Sequence, residues 1–309
     1  MRISCLLFFP IPFKGFPSPF PECIKRDFYI YFKGAYIQMD TQQLYFLNDI
    51  GKQKPESIRN RNTACPFCDR ENLTDILATE GSIIWLKNKF PTLKDTFQTV
   101  LIETDNCEDH IATYTEEHMR KLIRFSILHW LNLQENEEFT SVILYKNHGP
   151  FSGGSLHHAH MQIIGMKHVD YLENIEEANF QGVIVQKNER IELNISERPI
   201  IGFTEFNIII EDIACIDEMA NYIQQTVRYI LTDFHKGCSS YNLFFYHLNR
   251  KIICKVVPRF VVSPLYVGYK IPQVSTKLED VKIQLAQYFT KEKDEIIHKK
   301  KSRYRKPTL

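Results

Sequence analysis

Asn147-His148-Gly149-Pro150-Phe151-Ser152-Gly153-Gly154-Ser155-Leu156-His157-His158-Ala159-His160-Met161-Gln162 is the stretch on which both the fold and the chemistry of this chain turn. It opens as a glycine-bearing loop, whose backbone can bring N–H groups close to a phosphate. It then runs into His158, Ala159, His160, Met161, Gln162 and Ile163, which alternate polar and apolar with period two. On a strand that period sets His158, His160 and Gln162 on one face and Ala159, Met161 and Ile163 on the other. A lone strand histidine is more often structural than catalytic, but two imidazoles and an amide beside a phosphate-sized loop point to phosphoryl or nucleotidyl transfer. Neutral imidazole is both a nucleophile and a metal ligand.

Working outward, the same order of elements reads twice. The first set is a strand near residues 99–103, a helix over about 116–133, a strand near 141–146 and the histidine strand over 158–165. Thr113 to Glu116 is a capping-box candidate, and Met119, Leu122, Ile123, Ile127, Trp130 and Leu131 form an apolar stripe. The second set is a strand near 207–211, a helix over about 217–234 and strands near 241–246 and 252–257. Its helix repeats the stripe with Ile216, Met219, Ile223, Val227, Ile230 and Phe234. Two such sets in tandem predict an α+β fold with an internal duplication.

The quoted stretch also resembles a known group, the galactose-1-phosphate uridylyltransferase-like branch of the histidine-triad (HIT) superfamily. The resemblance rests on Asn147-His148-Gly149, Gly153-Gly154-Ser155 and His158-Ala159-His160-Met161-Gln162, in the family's order and spacing, and covers residues 65–259. The family usually has proline where Ala159 stands, so this chain is a divergent member. The resemblance implies two tandem HIT-like halves, each an antiparallel sheet with a packed helix. It makes His160 the nucleophile on the α-phosphate of a nucleotide sugar, and has Asn147, Gly153, Ser155 and Gln162 hold phosphate oxygens. Asn88 and Phe90, in Asn88-Lys89-Phe90-Pro91, resemble the segment beside base and ribose; a Pro-bounded turn with a buried Phe is the plainer reading of those residues. Hydrolase members of the superfamily carry a third histidine where Gln162 stands. A departing sugar phosphate is already a stable anion and needs little general-acid help, so Gln162 favours transfer over hydrolysis.

Cys65-Pro66-Phe67-Cys68 is a second constellation. Cys-x-x-Cys alone is zinc-binding, redox-active or incidental, and the thioredoxin-like context of a redox pair is not visible. The resemblance assigns His110 and His158 as the remaining ligands of one structural Zn²⁺, a closed centre that does no chemistry itself. Cys107, three positions from His110, is a rival ligand. The family's second metal pair, a His-x-His before Pro-Arg, is here Lys251 to Arg259 without histidine, so no second metal is expected. Lys255 and Arg259 read as exposed strand bases or as phosphate contacts.

Composition bounds the rest. The 309 residues are 44% hydrophobic with a net charge of +1, which makes no electrostatic case for a nucleic-acid partner. Eight scattered cysteines fit a reducing cytoplasm rather than a disulfide framework. No apolar run approaches the roughly 20 residues that span a bilayer, so a soluble, cytoplasmic protein is expected. Residues 1–38 are proline-rich and aromatic without period, and read as a non-native or disordered extension. Lys33-Gly34-Ala35 is encodable as a ribosome-binding sequence just upstream of Met39, which makes Met39 the expected start. The remaining divisions are 39–178 for the first half with zinc and catalytic motif, 179–275 for a degenerate second half and 276–309 for a basic tail. The expected activity is nucleotidyl transfer through a nucleotidyl-histidine, with nucleotide sugar and sugar phosphate as partners. The alternatives are a dinucleoside polyphosphate or ADP-sugar phosphorylase or hydrolase, and a zinc-stabilised nucleotide-binding protein without turnover. Relatives dimerise, so a homodimer is one expectation and a self-sufficient chain the other.

Overall fold

The computed structural model of the protein describes residues 29–32, 35–38, 42–57 and 64–304. The chain divides into two units at Thr41. In the first, β1 (Tyr29–Phe32) pairs antiparallel with β2 (Ala35–Gln38). Met39, the expected start, lies outside the described residues, as do residues 1–28 and 305–309.

The second unit begins with a single turn of helix, α1 (Asn48–Gly51), and continues through β3 (Ile76–Glu80), β4 (Ile83–Lys87) and β5 (Thr96–Ile102) to α2 (Glu116–Gln134). Then come β6 (Ser141–His148), β7 (His160–Met166), β8 (Gly182–Lys187), β9 (Glu192–Ser196), β10 (Phe206–Ile210) and α3 (Ile216–Tyr229). β11 (Tyr241–Leu248), β12 (Lys251–Pro258), α4 (Pro264–Tyr269) and α5 (Leu278–Tyr304) complete it. The architecture is α+β with a large antiparallel sheet of ten strands, in the order β3-β4-β5-β7-β6-β11-β12-β10-β9-β8. At its centre β6 pairs with β11, setting His148 opposite Tyr241 and Asn147 opposite Asn242. Among the described residues no helix is long and apolar enough to cross a membrane.

Each strand of the sheet near the site sorts its residues by face. Ala159, Met161 and Ile163 belong to the main core with Val142 and Leu144 of β6, Leu243 and Phe245 of β11, and Cys254 and Val256 of β12. The stripes of α2 (Met119, Leu122, Ile123, Trp130) and α3 (Met219, Ile223, Val227) close over them. The Trp130 indole N–H donates to the Val142 carbonyl at 2.9 Å, so this large side chain is buried without an unpaired donor. The opposite faces of β7 and β12 carry His160 and Gln162 on one side of the junction and Lys255 on the other.

Three local results differ from the sequence reading. The α2 N-cap is Thr115, whose hydroxyl accepts from His118 N–H at 3.2 Å, rather than Thr113. Thr113 is engaged one turn earlier, where its hydroxyl accepts from His110 N–H. The second helix closes in a π turn over Ile230–Phe234. The segment described only by its basic charge contains α5, which buries Leu285 and Phe289 in the core.

Lys255 is neither an exposed base nor a phosphate contact. Its ammonium is fully buried 2.9 Å from Glu205 and donates to the Asn179 carbonyl and the Ser196 hydroxyl, each at 2.8 Å, with the Phe180 ring beneath it. Glu205 in turn accepts from Ile200 and Ile201 N–H, so the charge pair is satisfied on both sides.

Candidate functional site

Four side chains able to ligate a metal converge where the loop after β5 meets the start of β7. Cys65, Cys68, Cys107 and His158 place one ligand atom each within 4.8 Å of one another. His158 donates from Nε2 to the Thr104 carbonyl at 2.9 Å, which leaves Nδ1 pointing at both Cys65 Sγ and Cys68 Sγ, 3.5 Å from each. A tetrahedral zinc with ordinary Zn–S and Zn–N bonds holds its sulfur and nitrogen about 3.5 Å apart, so the donor set and its spacing fit that ion. Burial raises the Cys65 thiol, but the adjoining imidazole brings it down to about 7, whereas burial and the neighbouring sulfurs push Cys107 up to about 12. Three crowded sulfurs ionise together only around a cation.

His110 stands outside this cluster. The turn 106–109, with Asp109 N–H on the Asn106 carbonyl, returns Cys107 toward the Cys65–Cys68 knuckle and carries His110 past it. The His110 ring lies 4.9 Å from that of His148 instead, on the helix side of the sheet, where His148 stacks on Tyr241 at 4.7 Å. The loop is braced from the second half of the chain. Gln224 of α3 donates to the carbonyls of Ile111 and Tyr114 at 2.8 Å, and Arg228 donates to that of Ala112 at 2.9 Å.

Two residues beyond His158, the His160 imidazole is fixed from behind. A backbone carbonyl only accepts, so the 2.8 Å contact between Nδ1 and the His158 carbonyl puts the proton on Nδ1 and leaves the Nε2 lone pair free. Burial brings this imidazole down to about 4 despite that bond, which keeps it neutral at neutral pH. Phe67, inside the Cys-x-x-Cys knuckle, packs edge-on to both rings, 5.9 Å from His158 and 5.4 Å from His160. The Cys₃His cluster and the second histidine are thus one packed unit.

His160 opens into a cavity of about 690 Å³ on the helix-free face. Its lining brings together Asn88, Phe90, Asn147, Gly153, Ser155, His160 and Gln162, residues from two separate stretches of the chain. Asn88 accepts from Phe90 N–H at 2.9 Å, so the segment is a turn, but Phe90 is only half-buried and the turn forms cavity wall. The glycine-bearing loop has left-handed backbone at Gly149 (φ +81°) and Gly153 (φ +85°). A side chain at Gly149 would collide with the Ser239 carbonyl and the Ser240 hydroxyl, whereas Gly153 faces open space. The Ser57 hydroxyl accepts from His157 N–H at 3.1 Å and Ser57 N–H donates to the Ser155 carbonyl at 2.8 Å, tying the loop to the segment before the knuckle. That segment also brings Lys54 to the cavity, where its charge acts on His160; sequence reasoning missed it because one lysine in a polar run carries no pattern.

Family profiles for the DUF4931 N-terminal and C-terminal domains, both described as domains of unknown function, match residues 46–169 and 172–289. The chain belongs to the DUF4931 family. The crystal structure of a DUF4931 family protein from Bacillus cereus ATCC 10987 is 92% identical, with a TM-score of 0.65 over 70% of this chain and all of that one. The DUF4931 fold is also that of a GalT-like protein from Arabidopsis thaliana, which is 14% identical with TM-score 0.60 over 72% of this chain and 92% of that one. An ADP-glucose phosphorylase from the same plant, solved with bound ADP-glucose, is 13% identical with TM-score 0.59 over 76% and 92%. No curated protein matches the DUF4931 chain by sequence.

Proposed function

We propose that the protein is a nucleotidyltransferase that acts on a nucleotide sugar through His160. The observation that carries this reading is the His160 imidazole, held neutral by burial with its Nδ1 proton on the His158 carbonyl and its Nε2 free toward a cavity large enough for a nucleotide sugar. Nε2 attacks the α-phosphorus. The P–O bond to the β-phosphate breaks, and sugar phosphate leaves as an anion while the nucleotide stays bonded to nitrogen. A phosphate oxygen of the acceptor then attacks that phosphorus, the P–N bond breaks, and free imidazole returns. Asn147, Ser155 and Gln162 supply neutral donors along the cavity, and Lys54 adds positive charge at its edge. The shared fold with nucleotide-sugar enzymes supports the substrate class.

Cys65, Cys68, Cys107 and His158 would hold one structural zinc, whose contribution is to fix the loops on which His160 stands. We also read residues 39–178 and 179–275 as two HIT-like halves. The strand-helix-strand-strand order of β5-α2-β6-β7 recurs in β10-α3-β11-β12, and the sheet order runs symmetrically outward from the β6–β11 junction, which supports a duplication.

Intact-protein mass spectrometry tests the reaction. After incubation with UDP-, ADP- and GDP-sugars without acceptor, one donor is expected to add the mass of a nucleoside monophosphate to wild-type protein and nothing to His160→Ala. No adduct with any donor, on zinc-replete protein, overturns covalent transfer from nucleotide sugars. Adding inorganic phosphate or a sugar phosphate to the adduct then separates phosphorolysis from transfer, since only the true acceptor discharges it rapidly.

A further inference from the structure

Asn147 sits at the inner end of the glycine-bearing loop and lines the cavity, but an amide can present either an acceptor or two donors to a ligand. What decides its orientation comes from the other half of the sheet. Asn242 of β11, directly opposite Asn147 in the register, is buried. Its Nδ2 lies 2.6 Å from Asn147 Oδ1, 3.2 Å from the Lys146 carbonyl and 3.1 Å from the Ser152 carbonyl, while its Oδ1 lies 2.6 Å from Arg259 Nη1. Chemistry leaves one arrangement. Two backbone carbonyls only accept, so the Asn242 atom facing them is the NH₂, and a guanidinium only donates, so the atom facing Arg259 is the oxygen. With its NH₂ fixed, Asn242 compels Asn147 to turn Oδ1 inward, which leaves the Asn147 NH₂ for the cavity. The same NH₂ holds the Ser152 carbonyl, at the bend that leads into Gly153.

We infer that Asn242 and Arg259 are positioning residues of the candidate site: the Arg259–Asn242–Asn147 relay fixes Asn147 as a hydrogen-bond donor and anchors the loop, preparing the cavity for an anionic phosphate. The phosphate half of this inference rests on the nucleotide reading above; the orientation half does not. An acceptor facing the cavity would repel a phosphate oxygen, whereas an NH₂ donates to it. The half-buried Arg259 acts through Asn242 rather than on the ligand, which replaces both sequence readings of that residue.

Asn242→Asp is the informative substitution, because it keeps the shape and the bond to Arg259 but can only accept, and so reverses Asn147. The first readout needs no ligand: water exchange of the Asn147 side-chain amide protons by NMR, assigned by their disappearance in Asn147→Ala. Exchange is expected to slow at least tenfold in Asn242→Asp, as the NH₂ turns inward; unchanged exchange in a folded variant overturns the relay. Should Asn242→Asp fail to fold, Asn242→Leu serves in its place. With no NH₂ facing its Oδ1, the Asn147 amide is expected to populate both orientations and exchange about twofold to threefold more slowly, and no change overturns the inference. The second readout is calorimetric binding of ADP, UDP and GDP in a double-mutant cycle. Asn242→Asp and Asn147→Ala are each expected to weaken binding about tenfold, and the double variant no further than the worse single one. Additive losses overturn the relay as the cause. Wild-type protein that binds none of the three sinks the nucleotide reading, and the exchange measurement alone then decides the orientation of Asn147.

Discussion

His129 shows how a single titratable residue links the interior to solution pH. Its ring packs between Trp85, 4.6 Å away, and Phe125, 4.3 Å away, and burial lowers its pKa below the ordinary 6.5. A histidine whose folded pKa is depressed gives stability that is full above the unfolded value and is lost as pH falls below it, because the unfolded chain binds the proton more readily. Urea unfolding between pH 7.5 and 5 is therefore expected to show falling stability, with a shallower slope in His129→Gln; identical slopes would rule His129 out as a contributor. At this scale the candidate site was largely legible from sequence. Asn88, Phe90, Asn147, Gly153, Ser155, His160 and Gln162 all line one cavity: strand period alone put His160 and Gln162 on one face, whereas Asn88, Phe90, Asn147, Gly153 and Ser155 were singled out by the family resemblance. Lys54 and Asn242 were not legible, since each acquires its place only when a distant segment folds against the loop.

At the scale of elements, legibility followed pattern strength. The strands and helices around the motif appear within a few residues of their expected bounds, because long apolar stripes and alternation are tertiary burial written locally. β3, β4, β8 and β9 went unread: they are short and β3 is largely exposed, so little alternation is imposed on it. The choice between Cys107 and His110 turned on the turn after β5, which three positions of sequence cannot resolve. Metal analysis separates them: Cys107→Ser is expected to weaken zinc retention against a chelator at least tenfold, and His110→Ala to leave it near wild type. The reverse ranking would assign the fourth place to His110.

The whole molecule is organised by the β6–β11 junction, since it makes one sheet of strands contributed by both family domains. Cutting there exposes β6 from Leu144 to His148 as an unprotected edge and removes the α3 side chains that brace the loop bearing Cys107. Residues 42–170 produced alone are expected to aggregate or to remain unfolded by circular dichroism, and co-expression with residues 171–304 to restore a soluble complex. A cooperatively folded first fragment that retains zinc would contradict this dependence. The helix-free face of the sheet is used differently on the two sides of the junction. On one side it is hollow beside His160; on the other, Lys255 stands over Phe180 with Glu205 for its counter-ion and every donor engaged. The second half thus carries its own permanent guest. It serves as a keel, a packed body against which the half that holds the cavity keeps its shape.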